Sequence, residues 1–175
     1  MRIAFCFPGQ GSQDVGMGRA IAERFPEARA VYDEASEAVG YDVAQVCFEG
    51  PIEKLTRTDV QQPALVATSL ACLRAVDTLG IKPDFVVGHS VGEYSALAAA
   101  ASLPDRDAIA LVQERGRAMA EAADRHPGAM AAVIGLDPAL PRPGSPGGAP
   151  APGHPGAHDR DGSRLDVGIG VHGLG

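Results

Sequence analysis

The sequence has no tryptophan, little other aromatic content and only three cysteines among its 175 residues. Cys6, Cys47 and Cys72 lie far apart and form no C-x-x-C pair. This spacing argues against a disulfide framework and against a cysteine zinc site, and no other metal ligands stand out. We therefore expect three buried, unreactive core thiols in a protein of a reducing compartment.

Long apolar runs are also absent. The apolar stretch after Met1 is too short for a secretory signal, and no stretch reaches the ~20 residues of a membrane-spanning helix. The formal net charge of −7 argues against binding to nucleic acid or to an anionic membrane. These absences predict a cytoplasmic protein without nucleic-acid or membrane partners.

The composition changes abruptly near Asp137. Residues 138–175 contain 10 of the 22 glycines and 7 of the 14 prolines, and no Glu, Lys, Phe or Tyr. Such a segment cannot continue a helix and offers little apolar surface to offset the entropy lost on ordering. One stretch, "RLDVGIGV", alternates apolar residues as a strand would, but its glycines weaken that prediction.

Residues 1–137 instead alternate short apolar segments with helical patterns. The segments "RIAFCF" and "DFVVG" predict buried strands, each followed by a glycine-containing turn. Spacings of three and four residues predict several helices, including a long one that begins after "QQP" and ends at Gly80. Strands that alternate with helices predict an α/β fold with a mainly parallel sheet.

The segment "GHSVGEY", residues 88–94, joins a predicted strand to a predicted helix. A serine on such a tight turn presents its hydroxyl, and the flanking glycines allow close backbone contact, as in an α/β-hydrolase nucleophile elbow. The helix N-terminus behind Ser90 offers N–H groups and a positive dipole end to a developing oxyanion. The alternative is a turn serine that caps the helix.

A second glycine loop, "FPGQGSQ" at residues 7–13, follows the first predicted strand. A phosphate-binding loop is one interpretation, but the segment lacks the Walker lysine and the spacing of a dinucleotide fingerprint. Taken alone, it is better explained as a plain turn.

Five segments together are more specific than either loop. They are "FPGQGSQ", "QQPA" at 61–64, "GHSVGEY", "ERGRAM" at 114–119 and "GAMAAVIGL" at 128–136, in this order. The set closely resembles the malonyl-CoA:acyl carrier protein transacylases of bacterial fatty acid synthesis. The resemblance extends from residue 1 to about residue 137 and then stops.

The resemblance implies a role for each matching residue. Ser90 would accept the malonyl group as an ester, and the backbone N–H groups of Gln10 and Val91 would form the oxyanion hole. Arg115 would bind the malonyl carboxylate, which a planar guanidinium can hold through two hydrogen bonds; without the resemblance, a surface helix arginine is the better interpretation. His89 would line the site rather than act as the base, because neighbours on a sharp elbow point in different directions. Val91, directly after Ser90, is similar to the residue found there in the malonyl-selecting members of the family.

The same resemblance shows what is missing. In the family the general base is a histidine that follows a small ferredoxin-like subdomain, well beyond residue 137. His154, His158 and His172 lie in glycine-rich surroundings without that motif, and His126 matches no catalytic position. We therefore expect no general-base histidine in this chain.

The implied domain organisation has three parts. Residues 1–127 correspond to the N-terminal part of the large acyltransferase subdomain, and residues 128–137 to the first strand of an incomplete small subdomain. Residues 138–175 are predicted to be a disordered or frame-shifted tail.

The implied reaction is a ping-pong transfer of malonyl from coenzyme A to Ser90 and then to the phosphopantetheine thiol of acyl carrier protein. Malonyl-CoA and acyl carrier protein are the implied partners, no metal or redox cofactor is implied, and the complete enzyme is expected to be a monomer. The alternatives are an acyltransferase domain of a polyketide synthase and an inactive, truncated fragment. A start at Met1, shortly before "FCFPG", favours the discrete enzyme, while the Gln10 loop and Arg115 argue against a generic serine hydrolase.

A shift of the coding frame near codon 137 would explain the abrupt change. Thirteen arginines against two lysines are typical of a GC-rich gene. When such a gene is translated out of frame, the amino-acid sequence is rich in Pro, Gly, Ala and Arg. We expect one of the other two frames after codon 137 to encode strands, helices and a histidine motif. Translation of the DNA tests this, and the hypothesis is wrong if neither frame does so.

Overall fold

The structure is a computed structural model that describes residues 2–126 and the backbone of residues 169–173. Residues 128–137, predicted as the first strand of a small subdomain, lie outside the described residues, as does most of the predicted tail. The described elements follow one another as β1 (Ala4–Phe7), α1 (Arg19–Arg24), α2 (Pro26–Val39), α3 (Val43–Glu49), α4 (Ile52–Leu55), α5 (Thr58–Thr78), β2 (Phe85–His89), α6 (Gly92–Ala99), α7 (Asp105–Arg125) and β3 (Ile169–Gly173).

The sheet is small, and its strands β1 and β2 lead into the two glycine-containing motifs. Strands β1 and β2 pair in parallel, with Phe7 opposite Gly88, so their carboxyl ends meet at the same edge. The loop after β1 and the turn after β2 are therefore neighbours, although they are about eighty residues apart in the sequence. Strand β3 lies on the other side of β2 and runs antiparallel to it. The chain has the predicted α/β class, and β3 overlaps "RLDVGIGV", the stretch of the tail whose alternation resembles that of a strand.

Helix α5 is the central helix and is buried along most of its length. It begins at Thr58, so the prediction that this helix starts after "QQP" was wrong. Pro63 lies inside the helix, where it lacks the N–H that would bond to the carbonyl of Asp59. Pro63 is fully buried, and the packing of α5 against α2 and α6 offsets the ~3 kcal/mol that an interior proline costs.

Helix α2 packs against α5 as its apolar spacing predicts. Ala28, Val31 and Ala35 are buried, and Gly40 ends the helix in the left-handed conformation, with φ 80°. The hydroxyl of Tyr32 donates to Thr68 Oγ1 at 2.9 Å, so a hydrogen bond accompanies the apolar contact between the two helices.

Helix α7 is joined to α5 at two places. The guanidinium of Arg74 donates from Nε to Asp105 at 2.7 Å at the start of α7, and it also bonds to Asp77 at 2.8 Å. In the middle of α7, Gly116 lies against the carbonyl oxygen of Thr58, from which an added Cβ would be only 2.9 Å away. These contacts determine where the side chains of α7 lie relative to the first turns of α5. Within the described residues, no helix has both the length and the apolar character needed to cross a bilayer.

Candidate active site

Ser90 occupies the strained turn between β2 and α6. Its φ is 53°, in the left-handed region that residues other than glycine rarely adopt. The strand ends at His89 and the helix begins at Gly92, so only Ser90 and Val91 lie between them. This is the geometry of the predicted nucleophile elbow, and it excludes an ordinary helix-capping turn as the whole explanation for the motif.

The two glycines of the elbow are required by backbone contacts. A Cβ at Gly88 would lie 2.4 Å from the amide nitrogen of Glu93, in the first turn of α6. A Cβ at Gly92 would lie 2.4 Å from the carbonyl oxygen of Phe7 and 2.6 Å from that of Pro8. Gly92 therefore lets the start of α6 pack directly on the end of β1, which brings the 7–13 loop beside Ser90.

His89 faces that loop rather than Ser90. A Cβ at Gly9 would lie 2.3 Å from His89 Nδ1, so the imidazole ring packs against the glycine that precedes Gln10. Within residues 2–126, His89 and Ser90 form no side-chain hydrogen bond with each other. The position agrees with a residue that lines the site, as the resemblance implied, and His89's role remains a prediction.

The proposed oxyanion hole has the right surroundings. Gln10 follows Gly9 in the loop packed on the elbow, and Val91 lies at the N-terminus of α6. The first N–H groups of a helix have no acceptor within the helix, and they add to its positive dipole end. The N–H of Glu93 is already bonded to the carbonyl of Ser90 at 3.1 Å, so the N–H groups before it are the ones available to a ligand. That Gln10 and Val91 act as a pair remains a prediction.

Arg115 lies beside the serine, 25 residues further along the chain. Its Nη2 donates to Ser90 Oγ at 3.2 Å, and the side chain is half-buried. The alternative that Arg115 is a surface helix arginine was therefore wrong. The neighbouring Arg117 does fit that description, because its side chain is 63% exposed and pairs with Glu114.

Gln62 is a residue of the site to which the sequence analysis assigned no role. Its side chain is completely buried in α5, its Oε1 accepts from Arg115 Nη1, and its Nε2 donates to Met119 Sδ at 3.3 Å. The signal available in the sequence was a pair of amides, "QQ", at the start of an otherwise apolar helical stretch. The contacts join the "QQPA", "GHSVGEY" and "ERGRAM" segments into one site.

The remaining histidines do not gather at Ser90 in the described part of the chain. His126 is exposed just after α7, and the Cα of His172 lies opposite Val86, four residues before Ser90 along β2. His154 and His158 lie outside the described residues. The absence of a general base from this chain stays a prediction.

The three cysteines have different environments. Cys47 is buried, and burial raises the pKa of its thiol to about 12, against a smaller lowering by the hydrogen bond from Thr68. Burial also raises the pKa of the half-buried Cys72. The prediction that Cys6 is a core thiol was wrong: it is exposed on β1, which among the described strands pairs only with β2. No group of three or more His, Cys, Asp or Glu in the described ranges is placed to hold a metal ion.

Comparison with known proteins agrees with this geometry. Residues 4–141 match the acyl transferase domain family, and this match covers most of the chain. The chain belongs to the acyl transferase domain family. It is 49% identical over 136 residues to the malonyl CoA-acyl carrier protein transacylase of Bacillus subtilis strain 168, covering 78% of this chain and 43% of that protein.

Two further similarities extend the comparison of this acyl transferase chain. The polyketide biosynthesis protein ThaF of Burkholderia thailandensis is 49% identical over 138 residues, covering 78% of this chain and 11% of that protein. A malonyl-transacylase solved in complex with a type II polyketide acyl carrier protein aligns with a TM-score of 0.67 and 44% identity, covering 70% of this chain and 40% of that one. The chain thus spans less than half the length of these relatives.

Substitution of Gly92 tests whether the acyl transferase elbow depends on close backbone contact. We expect Gly92→Ala to lower the free energy of unfolding by about 3 kcal/mol, because the added methyl group would overlap the carbonyl groups that end β1. Gly40→Ala is the matched control, since Gly40 has φ 80° but nothing within 4 Å of an added Cβ, and it should cost about 1 kcal/mol. Urea unfolding measures both, and equal losses would contradict the packing explanation.

Proposed function

We propose that this chain carries the serine-acylating half of a malonyl-CoA:acyl carrier protein transacylase. The observation that carries the proposal is the contact of Arg115 Nη2 with Ser90 Oγ at 3.2 Å, on a strained elbow turn. It places a permanent positive charge next to a presented hydroxyl. A site of this kind suits an acyl group that carries a carboxylate at its far end.

The first step is attack on a thioester. Ser90 Oγ forms a bond to the malonyl carbonyl carbon while its proton passes to a base, the carbon–sulfur bond breaks, and the base returns the proton to sulfur, so that coenzyme A leaves as the thiol. Negative charge develops on the carbonyl oxygen, where the N–H groups at the start of α6 and in the 7–13 loop would stabilise it. The thioester supplies the driving force, so the step needs no metal or redox cofactor.

Arg115 provides the preference for malonyl. Once malonyl is an ester on Oγ, its free carboxylate is separated from the ester carbonyl by a single methylene group. It therefore stays within reach of a guanidinium that already contacts Oγ. An acetyl group offers no such partner, and a hydrolase has no need for the cation, so the site favours transfer of a carboxyl-bearing acyl group.

The second step, transfer to a carrier-protein thiol, is proposed from the relatives. The B. subtilis relative is named for acyl carrier protein, and the structural relative was solved with one. A polyketide biosynthesis protein is equally similar in sequence, so fatty acid and polyketide carriers are both compatible with the site. We propose that an acyl carrier protein is the acceptor in either case.

The general base limits what the chain can do alone. A serine hydroxyl is a weak nucleophile until a base accepts its proton, and loss of a base leaves only a small residual rate. The relatives are more than twice as long as the matched segment. We propose that this chain does not supply the base. The chain is then acylated slowly at Ser90 and does not turn over as a complete transacylase would.

Acylation of Ser90 can be measured directly. We expect incubation with malonyl-CoA to give a covalent malonyl adduct at a rate on the order of 10⁶-fold below that of a complete transacylase, since loss of the base removes most of the rate while oxyanion stabilisation persists. Intact-mass analysis detects the adduct, and Ser90→Ala should abolish it. An adduct that survives in Ser90→Ala, or no adduct after prolonged incubation, would contradict the proposal.

Selectivity tests the role of Arg115. We expect Arg115→Ala to slow acylation by malonyl-CoA roughly 10- to 100-fold and to leave acylation by acetyl-CoA within about threefold, because a charged hydrogen bond is worth ~1.5–3 kcal/mol. Arg117→Ala is the matched control on the same helix, since that arginine is exposed and pairs with Glu114. An unchanged malonyl-to-acetyl ratio in Arg115→Ala would rule out the carboxylate role.

A further inference from the structure

We propose that Gln62 is a positioning residue that sets the preference for carboxyl-bearing acyl groups. It holds the guanidinium of Arg115 beside Ser90 with a neutral amide, so the full positive charge of Arg115 remains available to the carboxylate of the acyl group. This inference rests on the proposed function and adds a residue, in the "QQPA" segment, that determines its specificity.

The amide of Gln62 is oriented by its two partners. Oε1 accepts from Arg115 Nη1, and Nε2 donates to Met119 Sδ at 3.3 Å. A guanidinium can only donate and a thioether can only accept, so the reversed amide would place donor against donor and acceptor against acceptor. Gln62 is completely buried, which removes competition from water and makes both contacts persistent.

The fold brings these three side chains together through one close helix contact. Arg115 and Met119 are four residues apart and lie on the same face of α7. Gly116, the residue after Arg115, packs on the carbonyl oxygen of Thr58 in the first turn of α5. Gln62 is one turn further along α5, so it meets both side chains.

The neutrality of Gln62 is the feature that matters for specificity. Among the described residues no carboxylate pairs with Arg115, although the preceding residue is acidic: Glu114 instead bonds to Arg117 at 2.8 Å on the exposed side of α7. A carboxylate in the buried position of Gln62 would neutralise Arg115 and compete with the acyl group. An amide of the same shape holds the guanidinium and leaves its charge uncompensated.

The first test examines the guanidinium in the free chain, without acylation. The ¹⁵N NMR signals of the Arg115 side chain, assigned by their loss in Arg115→Ala, report how fast the guanidinium rotates. We expect Gln62→Met to speed this rotation by at least about tenfold, since a charged hydrogen bond is lost. Gln61→Met is the matched control, because Gln61 is also buried and its Oε1 has no hydrogen-bond partner in the described part of the chain. Unchanged rotation in a folded Gln62→Met would overturn the positioning role.

The second test distinguishes the orientation of the Arg115 guanidinium by Gln62 from the effect of its uncompensated positive charge. Gln62→Glu can still accept from Arg115, so the guanidinium should remain held, yet the malonyl-to-acetyl acylation ratio should fall roughly 100-fold because the charge is neutralised. Gln62→Met should lower the same ratio by roughly tenfold through loss of orientation. Loss of fold would slow both acyl donors equally, so the ratio distinguishes a specificity role from a structural one.

The outcomes keep this inference distinct from the proposed function. If the chain accepts neither acyl group, the proposed function fails while the NMR measurement still decides whether Gln62 holds Arg115. If acylation occurs and Gln62→Glu retains the malonyl preference of the unmodified chain, the proposed function stands and the specificity role of Gln62 is wrong.

Discussion

The direct packing of Gly92 on the carbonyl groups of Phe7 and Pro8 is the contact on which the rest of the site depends. It seats the first turn of α6 on the end of β1, and the tight approach leaves room for only two residues between β2 and α6. Ser90 takes the left-handed conformation in this short turn, with φ 53°. The same contact brings the 7–13 loop beside the serine, so Ser90 and the two segments predicted to supply oxyanion donors share one edge of the sheet.

The site around Ser90 carries a positive charge, whereas the whole molecule has a negative net charge. The chain has a net charge of −7, yet the side chain bonded to Ser90 is an arginine with a neutral partner. Acidic residues near it in the sequence are directed elsewhere: Glu114 pairs with Arg117, and Asp105 with Arg74. An uncompensated cation in a half-buried position favours an anionic ligand, since burial strengthens the attraction and weakens the screening by salt. The proposed recognition of a carboxylate therefore depends on Arg115 and, equally, on the absence of an acidic partner for it among the described residues.

Local pattern predicted most of the elements correctly, because each is encoded within a few residues. Apolar spacing located α2 and β2, Gly40 marked a helix end, and the context of "GHSVGEY" identified the elbow. The start of α5 was missed because Pro63 ordinarily breaks a helix, and only burial on both sides of the helix makes its presence tolerable. Cys6 was misplaced for a related reason: an apolar segment does not reveal which face of its strand other elements cover.

The residues of the site also fall into two groups: those that local sequence predicted and those that only the packing of distant segments brought together. The sequence by itself determined the elbow turn that presents Ser90, since the end of a strand, two glycines and the start of a helix require no distant partner. It also identified Arg115, through resemblance of the "ERGRAM" segment. Only the tertiary structure decided that Arg115 contacts Ser90 and that Gln62 holds it, because those contacts join residues 25 and 53 positions apart. Their meeting depends on how closely α7 approaches α5 at Gly116, and helix-to-helix distance is a property of packing that no local pattern records.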